Sequence, residues 1–317
     1  MIYTWHQKIW DQLVATRNAT HLPHALLISG EKGTGKQAFT EALVNSLLCE
    51  SPLENYHACG QCKSCHVKHS DAHPDYYHVS IAENKTQIVV DQIRQLINFL
   101  HMSRSYQGSR VAYINPAEAL NVNAANSLLK SLEEPANNSA IILLTSQIST
   151  LLPTIKSRCQ MLHLPTPNKQ VALQWLTQQS IQHNPEELLE MSAGRPLYAL
   201  DLDNEEHFKS RKDFAYDLSA VINQQQSLTE VSKKWQNSPK HELLDWQIHW
   251  VQQLIKYRFN TAQHLPALAI PQSANLSRLW ILHDELIKFR KIAHTSLNSQ
   301  LFIENMLLSW VKLYEYE

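Results

Sequence analysis

The chain has 317 residues, with 28 Lys and Arg against 29 Asp and Glu and a formal net charge of −1. That balance excludes a protein that holds nucleic acid through a bulk basic surplus, and the length calls for two or three domains rather than one. The start, Met1-Ile2-Tyr3-Thr4-Trp5-His6-Gln7, has neither the basic residues nor the apolar run of a signal peptide, and the apolar stretch 140–144 is too short to cross a bilayer. A cytoplasmic protein without membrane contact is therefore expected.

In chain order, Ala25-Leu26-Leu27-Ile28 reads as a strand that ends at Gly30, and Phe39, Ala42, Leu43, Ser46 and Leu47 follow at helical spacing. Further strands are predicted at 76–79, 111–114, 140–144 and 161–164. Between them, Val89, Ile93, Leu96, Ile97 and Leu100 mark one helix, and Ala125, Leu128, Leu129 and Leu132 mark another. Strands alternating with helices predict an α/β fold with a mainly parallel sheet covered on both faces. Pro165-Thr166-Pro167 breaks the pattern, and no strand is expected beyond it. Short helices at 171–176 and 185–191 follow, closed by Gly194-Arg195-Pro196. Longer amphipathic helices run from about residue 205 to the end, for example through Leu244, Ile248, Val251, Leu254 and Ile255. The expected domains are thus 1–165, 166–204 and 205–317.

Gly30-Glu31-Lys32-Gly33-Thr34-Gly35-Lys36 fits a phosphate loop up to its lysine and lies between a strand and a helix. Gly30, Gly33 and Gly35 would let backbone N–H groups turn toward phosphate oxygens, and Lys36 would neutralise the terminal phosphates. The next residue should carry a magnesium-binding hydroxyl, but it is Gln37. The strand at 111–114 should end in carboxylates that hold the metal and orient water, but Asn115-Pro116 stands there. Glu118 is expected on the wrong turn to replace them. Three states fit this loop: nucleotide bound without turnover, a tight turn that binds none, and residual hydrolysis with an unusual metal arrangement.

Cys59-Gly60-Gln61-Cys62-Lys63-Ser64-Cys65 places three thiols in one short segment, with Cys49 upstream. Four thiolates close a tetrahedral zinc shell of the structural type. Free thiols, or a shell completed by His57 or His66, are the alternatives. A zinc-containing nucleic-acid module is a further reading, opposed by the near-neutral charge. Cys159 stands apart and reads as a small buried hydrophobe.

Asn126-Ser127-Leu128-Leu129-Lys130-Ser131-Leu132-Glu133-Glu134-Pro135 resembles a signature of bacterial DNA polymerase III clamp-loader subunits, and Ser157-Arg158-Cys159 matches their arginine motif. The cysteine insertion, His73-Pro74-Asp75 and Asn298-Ser299-Gln300-Leu301-Phe302-Ile303-Glu304 are also similar to that family. The resemblance implies an AAA+ module over 1–165 with a zinc-binding insertion at 49–66, a helical lid over 166–204, and a C-terminal collar over 205–317. Motor subunits of the family carry Ser or Thr after the loop lysine and Asp-Glu after the strand. With Gln37 and Asn115-Pro116, this chain resembles the member that does not hydrolyse ATP, and an active gamma/tau-like ATPase is the alternative. Leu197 aligns with the motors' sensor arginine, although Arg195 lies two residues away. The implied partners are the gamma/tau motor subunits and delta in a five-membered ring, and the sliding clamp and primer-template DNA through the complex. The implied role of Arg158 is an arginine finger acting on ATP held by a neighbouring motor subunit.

Overall fold

The computed structural model describes residues 2–19, 22–68, 73–259, 275–293, 295 and 297–314. The chain divides into two compact units, one formed by 1–179 with 194–200 and the other by 180–193 with 201–317. The segment 166–204 is shared between them.

The first unit begins with a short 3-10 turn at Thr4–His6 and helix α1 (Gln7–Ala19), followed by β1 (Ala25–Ser29), α2 (Lys36–Leu48) and α3 (Lys63–Lys68). It continues through β2 (Tyr76–Val79), α4 (Val90–His101), β3 (Arg110–Ile114), α5 (Val122–Glu133), β4 (Ser139–Thr145), α6 (Pro153–Lys156) and β5 (Gln160–His163), and then α7 (Lys169–Leu176). All five strands are parallel, in the order β2-β3-β4-β1-β5. The five expected strands lie within one residue of their expected ends.

Why the central strands are almost wholly apolar follows from burial on both faces. Ala25 and Leu27 of β1, Ala112 and Ile114 of β3, and Ile141 and Leu143 of β4 point to one side, where Ile93, Leu96, Leu128 and Leu132 of α4 and α5 pack. Leu26 and Ile28, Val111 and Tyr113, and Ile142 and Leu144 point to the other, against Trp10 of α1 and Phe39 and Leu43 of α2. The two-residue period of the strand thus feeds two separate cores. The glycine loop leaves the carboxyl end of β1, the edge at which open parallel sheets bind ligands.

The second unit takes in α8 (Pro185–Met191), and α9 (Pro196–Leu202) joins the units. The rest of it is α10 (Glu205–Ile222), α11 (Leu228–Trp235), α12 (Lys240–Arg258), α13 (Leu276–Ile292) and α14 (Ser299–Tyr314). Phe214, Trp235, Leu243, Val251, Leu286 and Trp310 belong to its core. Asp217 is buried there because it accepts hydrogen bonds from Trp235 Nε1 and Lys234 Nζ, both at 2.7 Å. No strand follows β5 among the described residues.

Candidate functional site

Gly33 and Gly35 have φ of +83° and +89°, so the loop takes the left-handed turns that its glycines permit. Its glycines are packed closely against other parts of the chain. The ring of Tyr3 lies against Gly35 so closely that a Cβ there would overlap it, and a Cβ on Gly33 would stand 2.5 Å from Cβ of Tyr198. Trp5 Nε1–H donates to the Thr34 carbonyl at 2.8 Å, and the Thr34 hydroxyl donates to the Glu31 carbonyl at 2.8 Å. Tyr3 and Trp5 stack at 4.7 Å, and Trp175 meets both rings edge-on. Leu197 N–H donates to the Gly33 carbonyl at 3.1 Å, so the segment at the sensor position is bonded to the loop.

Lys36 is 8 % exposed, and its ammonium donates to the Glu31 carbonyl at 3.3 Å. Burial lowers its pKa, while the nearby carboxylates of Glu118 and Glu31 act in the opposite direction and Lys32 and Arg195 reinforce the lowering. Glu118 lies in the 3-10 turn Ala117–Ala119, near enough for its charge to act on Lys36. Its Oε1 accepts from Ser146 N–H at 3.1 Å, whereas its buried Oε2 has no hydrogen-bond partner. Arg195 is 9 % exposed and lies over the Tyr198 ring at 4.4 Å.

Neutral amides stand at both positions expected to hold the metal. Gln37 Nε2–H donates to Glu41 Oε1 at 3.0 Å, one turn along α2. Gln37 and Asn115 line a cavity of about 740 Å³ with Glu41, Asn45, His78 and Tyr113. A neutral amide at each position supplies no anionic oxygen for magnesium.

Arg158 lies in the turn between α6 and β5, with a side chain 32 % exposed. Its Nε–H donates to Glu133 Oε1 at 2.5 Å, a second guanidinium nitrogen pairs with the same carboxylate, and Nη1–H donates to the Thr154 carbonyl at 3.1 Å. Glu133 ends α5 within the Leu132-Glu133-Glu134-Pro135 signature, so the two motifs singled out in the sequence meet in space.

Cys49, Cys59, Cys62 and Cys65 converge, with all four sulfurs within 4.8 Å of one another. Cys49 Sγ lies 3.5 Å from Cys59 Sγ and 3.8 Å from Cys62 Sγ. A tetrahedral zinc with bonds of ~2.3 Å separates its sulfurs by ~3.8 Å, so the set suits a four-thiolate metal. Backbone N–H groups also aim at the sulfurs: Cys59 at Cys49, Gln61 and Cys62 at Cys59, and Cys65 at Cys62, between 3.3 and 3.4 Å. The N–H groups of Gln61 and Cys62 lower the Cys59 pKa to about 6, whereas burial raises Cys49 and Cys65. Among the described residues no histidine belongs to the cluster; His57 instead stacks on Trp10 at 4.7 Å. Cys159 packs against a sheet core, where burial raises its pKa to about 11.

A family model described as "DNA polymerase III, delta subunit" matches residues 5–168. DNA polymerase III subunit delta' of Pseudomonas aeruginosa is 34% identical over 98% of both chains. The chain belongs to the DNA polymerase III delta' family. The subunit delta' proteins of Haemophilus influenzae and Escherichia coli are 33% and 30% identical, covering 83% and 96% of this chain and 80% and 94% of theirs. A solved gamma subunit-related protein from Thermotoga maritima overlays with a TM-score of 0.47 and 16% identity, over 96% of this chain and 99% of that one.

Within this delta' chain the sequence patterns point to the loop, the cysteines and Arg158, but not to what surrounds them. Tyr3, Trp5 and Tyr198 cover the loop from positions 28 or more residues away, and Glu133 reaches Arg158 across 25 residues. Only the signature containing Glu133 offered a local signal.

Proposed function

We propose that this chain is the non-hydrolysing stator of the clamp loader, assembled with gamma/tau motor subunits and delta in a five-membered ring that loads the sliding clamp onto primer-template DNA. Arg158 acts in trans, stabilising charge on the phosphate that a neighbouring motor subunit transfers. The supporting observation is a contrast within one module: its own glycine loop is packed against Tyr3, Trp5 and Tyr198 and carries neutral amides at Gln37 and Asn115, while Arg158 reaches the surface, half-buried and paired with Glu133. The loop around Gly30, Gly33, Gly35 and Lys36 then turns over no ATP. Cys49, Cys59, Cys62 and Cys65 hold a structural zinc that closes the insertion at 49–66 and leaves no open position for chemistry. Residues 166–204 act as the lid and 205–317 as the collar. No described helix is long and apolar enough to cross a membrane, and a cytoplasmic location follows from the replication role.

ATP hydrolysis by the purified chain and by its reconstituted complex tests this reading. The chain alone should show none, and Arg158→Ala should cut turnover by the assembled complex on the order of 10³-fold or more. Normal turnover in an intact mutant complex would falsify the finger. One observation favours an active gamma/tau-like ATPase instead: the free Glu118 oxygen in the surroundings of Lys36. Magnesium-dependent hydrolysis by the isolated chain, abolished by Lys36→Ala, would establish that reading.

A further inference from the structure

His73-Pro74-Asp75 takes no part in the loop or in the Arg158 turn, yet His73, Asp75 and Ser64 are 4 %, 1 % and 0 % exposed. Asp75 N–H donates to His73 Nδ1 at 3.1 Å. Nδ1 must then carry the lone pair, so the imidazole proton is on Nε2. Nε2 lies 2.8 Å from Ser64 Oγ, which donates to the Leu48 carbonyl at 2.6 Å. The chain of donors is therefore complete and runs one way, from Asp75 N–H through the imidazole and hydroxyl to the carbonyl.

The placement of its ends matters more than its length. Leu48 immediately precedes Cys49, the first of the four sulfurs, and Ser64 immediately precedes Cys65, the last. One imidazole thus ties together the backbone beside both ends of the ligand set. The far end is equally firm: the Asp75 carboxylate accepts from Arg110 Nη2 at 2.9 Å and from the N–H groups of Ser105 and Tyr106. Val111 N–H, in β3, donates to the Asp75 carbonyl at 2.8 Å. Gly108 closes the back, since a Cβ there would overlap the Leu48 carbonyl.

We propose that His73 is a positioning residue for the four-cysteine metal site, holding Cys49 and Cys65 at ligating distance through Ser64 and Leu48 and so setting how long the metal stays bound. The proposal rests on the metal reading given above. A ligand set already held together loses little conformational freedom when the metal binds, and a departing metal leaves thiolates that are still gathered to recapture it.

The test is zinc release from the full chain to a chromogenic chelator, after loading to one zinc per chain. Ser64→Ala and His73→Ala should each accelerate release about 10- to 100-fold, the range for partners of metal ligands. Because both act in one chain of hydrogen bonds, the double variant should release no faster than the faster single. His73→Gln keeps an N–H near the Nε2 position and should restore much of the slow release, which guards against a His73→Ala chain that fails to fold. If the parent takes up no zinc, the metal reading falls and the proposal with it. If the parent holds zinc and folded Ser64→Ala and His73→Gln both release it within about twofold of the parent rate while His73→Ala does too, the proposal alone is overturned. Multiplying effects in the double variant would likewise overturn it.

Discussion

The glycine loop and the Arg158 turn adjoin neighbouring parallel strands, one after β1 and the other before β5, and they face opposite fates. The loop follows β1, keeps its positive-φ glycines, and is packed against Tyr3, Trp5 and Tyr198. The turn precedes β5, which pairs directly with β1, and presents a guanidinium bound only by groups at the surface. The positive-φ backbone at Gly33 and Gly35 is thus one that packing against Tyr3 and Tyr198 can hold without a ligand. What a loop looks like and what it can bind are separate questions.

The largest test of this contrast pairs two cations. Arg158→Ala should depress ATP turnover by the reconstituted complex on the order of 10³-fold or more, whereas Lys36→Ala should leave it within about twofold. Equal losses would dissolve the distinction between the two half-sites. Next, Gly35→Ala places a Cβ at φ +89° and against the Tyr3 ring, and should cost about 1–3 kcal/mol in chemical denaturation. An unchanged midpoint would mean that the aromatic cover does not hold the loop.

The cover also carries a pH signature. His6 is fully buried, packs edge-on against Phe39 of α2, and burial lowers its pKa to about 4. Between pH 6.5 and 4 the unfolded chain binds a proton there that the folded chain refuses, so this contribution to stability is present above 6.5 and is lost as the pH falls. The slope approaches about 1.4 kcal/mol per pH unit, the value for one proton. His6→Leu should flatten the fall in melting temperature across that window; an identical slope in the variant would place the acid sensitivity elsewhere. The smallest effect belongs to Glu133→Gln. An exposed ion pair is worth below about 1 kcal/mol, and complex turnover should stay within a few-fold of the parent. A loss as deep as that of Arg158→Ala would make the pair itself, and not the guanidinium alone, the working unit.

How much was legible beforehand tracks the range of the forces involved. The strands were readable because apolar runs such as 140–144 report burial on both faces of a parallel sheet, and the cysteines because their spacing reflects a local chain reversal. Gln37 and Asn115 announced a missing metal site by residue type alone. The electrostatic link between Glu118 and Lys36 was not legible, because it depends on how β1 and β3 flank β4, which no local pattern records. The covering role of Tyr3 and Trp5 was hidden for the same reason, as was the link from His73 to Leu48.

The alternation along the strands bears on which length changes this chain can survive. Leu26 and Ile28 serve one core while Ala25 and Leu27 serve the other, and β3 and β4 repeat the arrangement. One residue added within a central strand exchanges its two faces and sends every side chain beyond it into the wrong core. Gains and losses must then collect between the strands. The stretch between α2 and β2 that carries the cysteines is such a place, since it lies outside every strand.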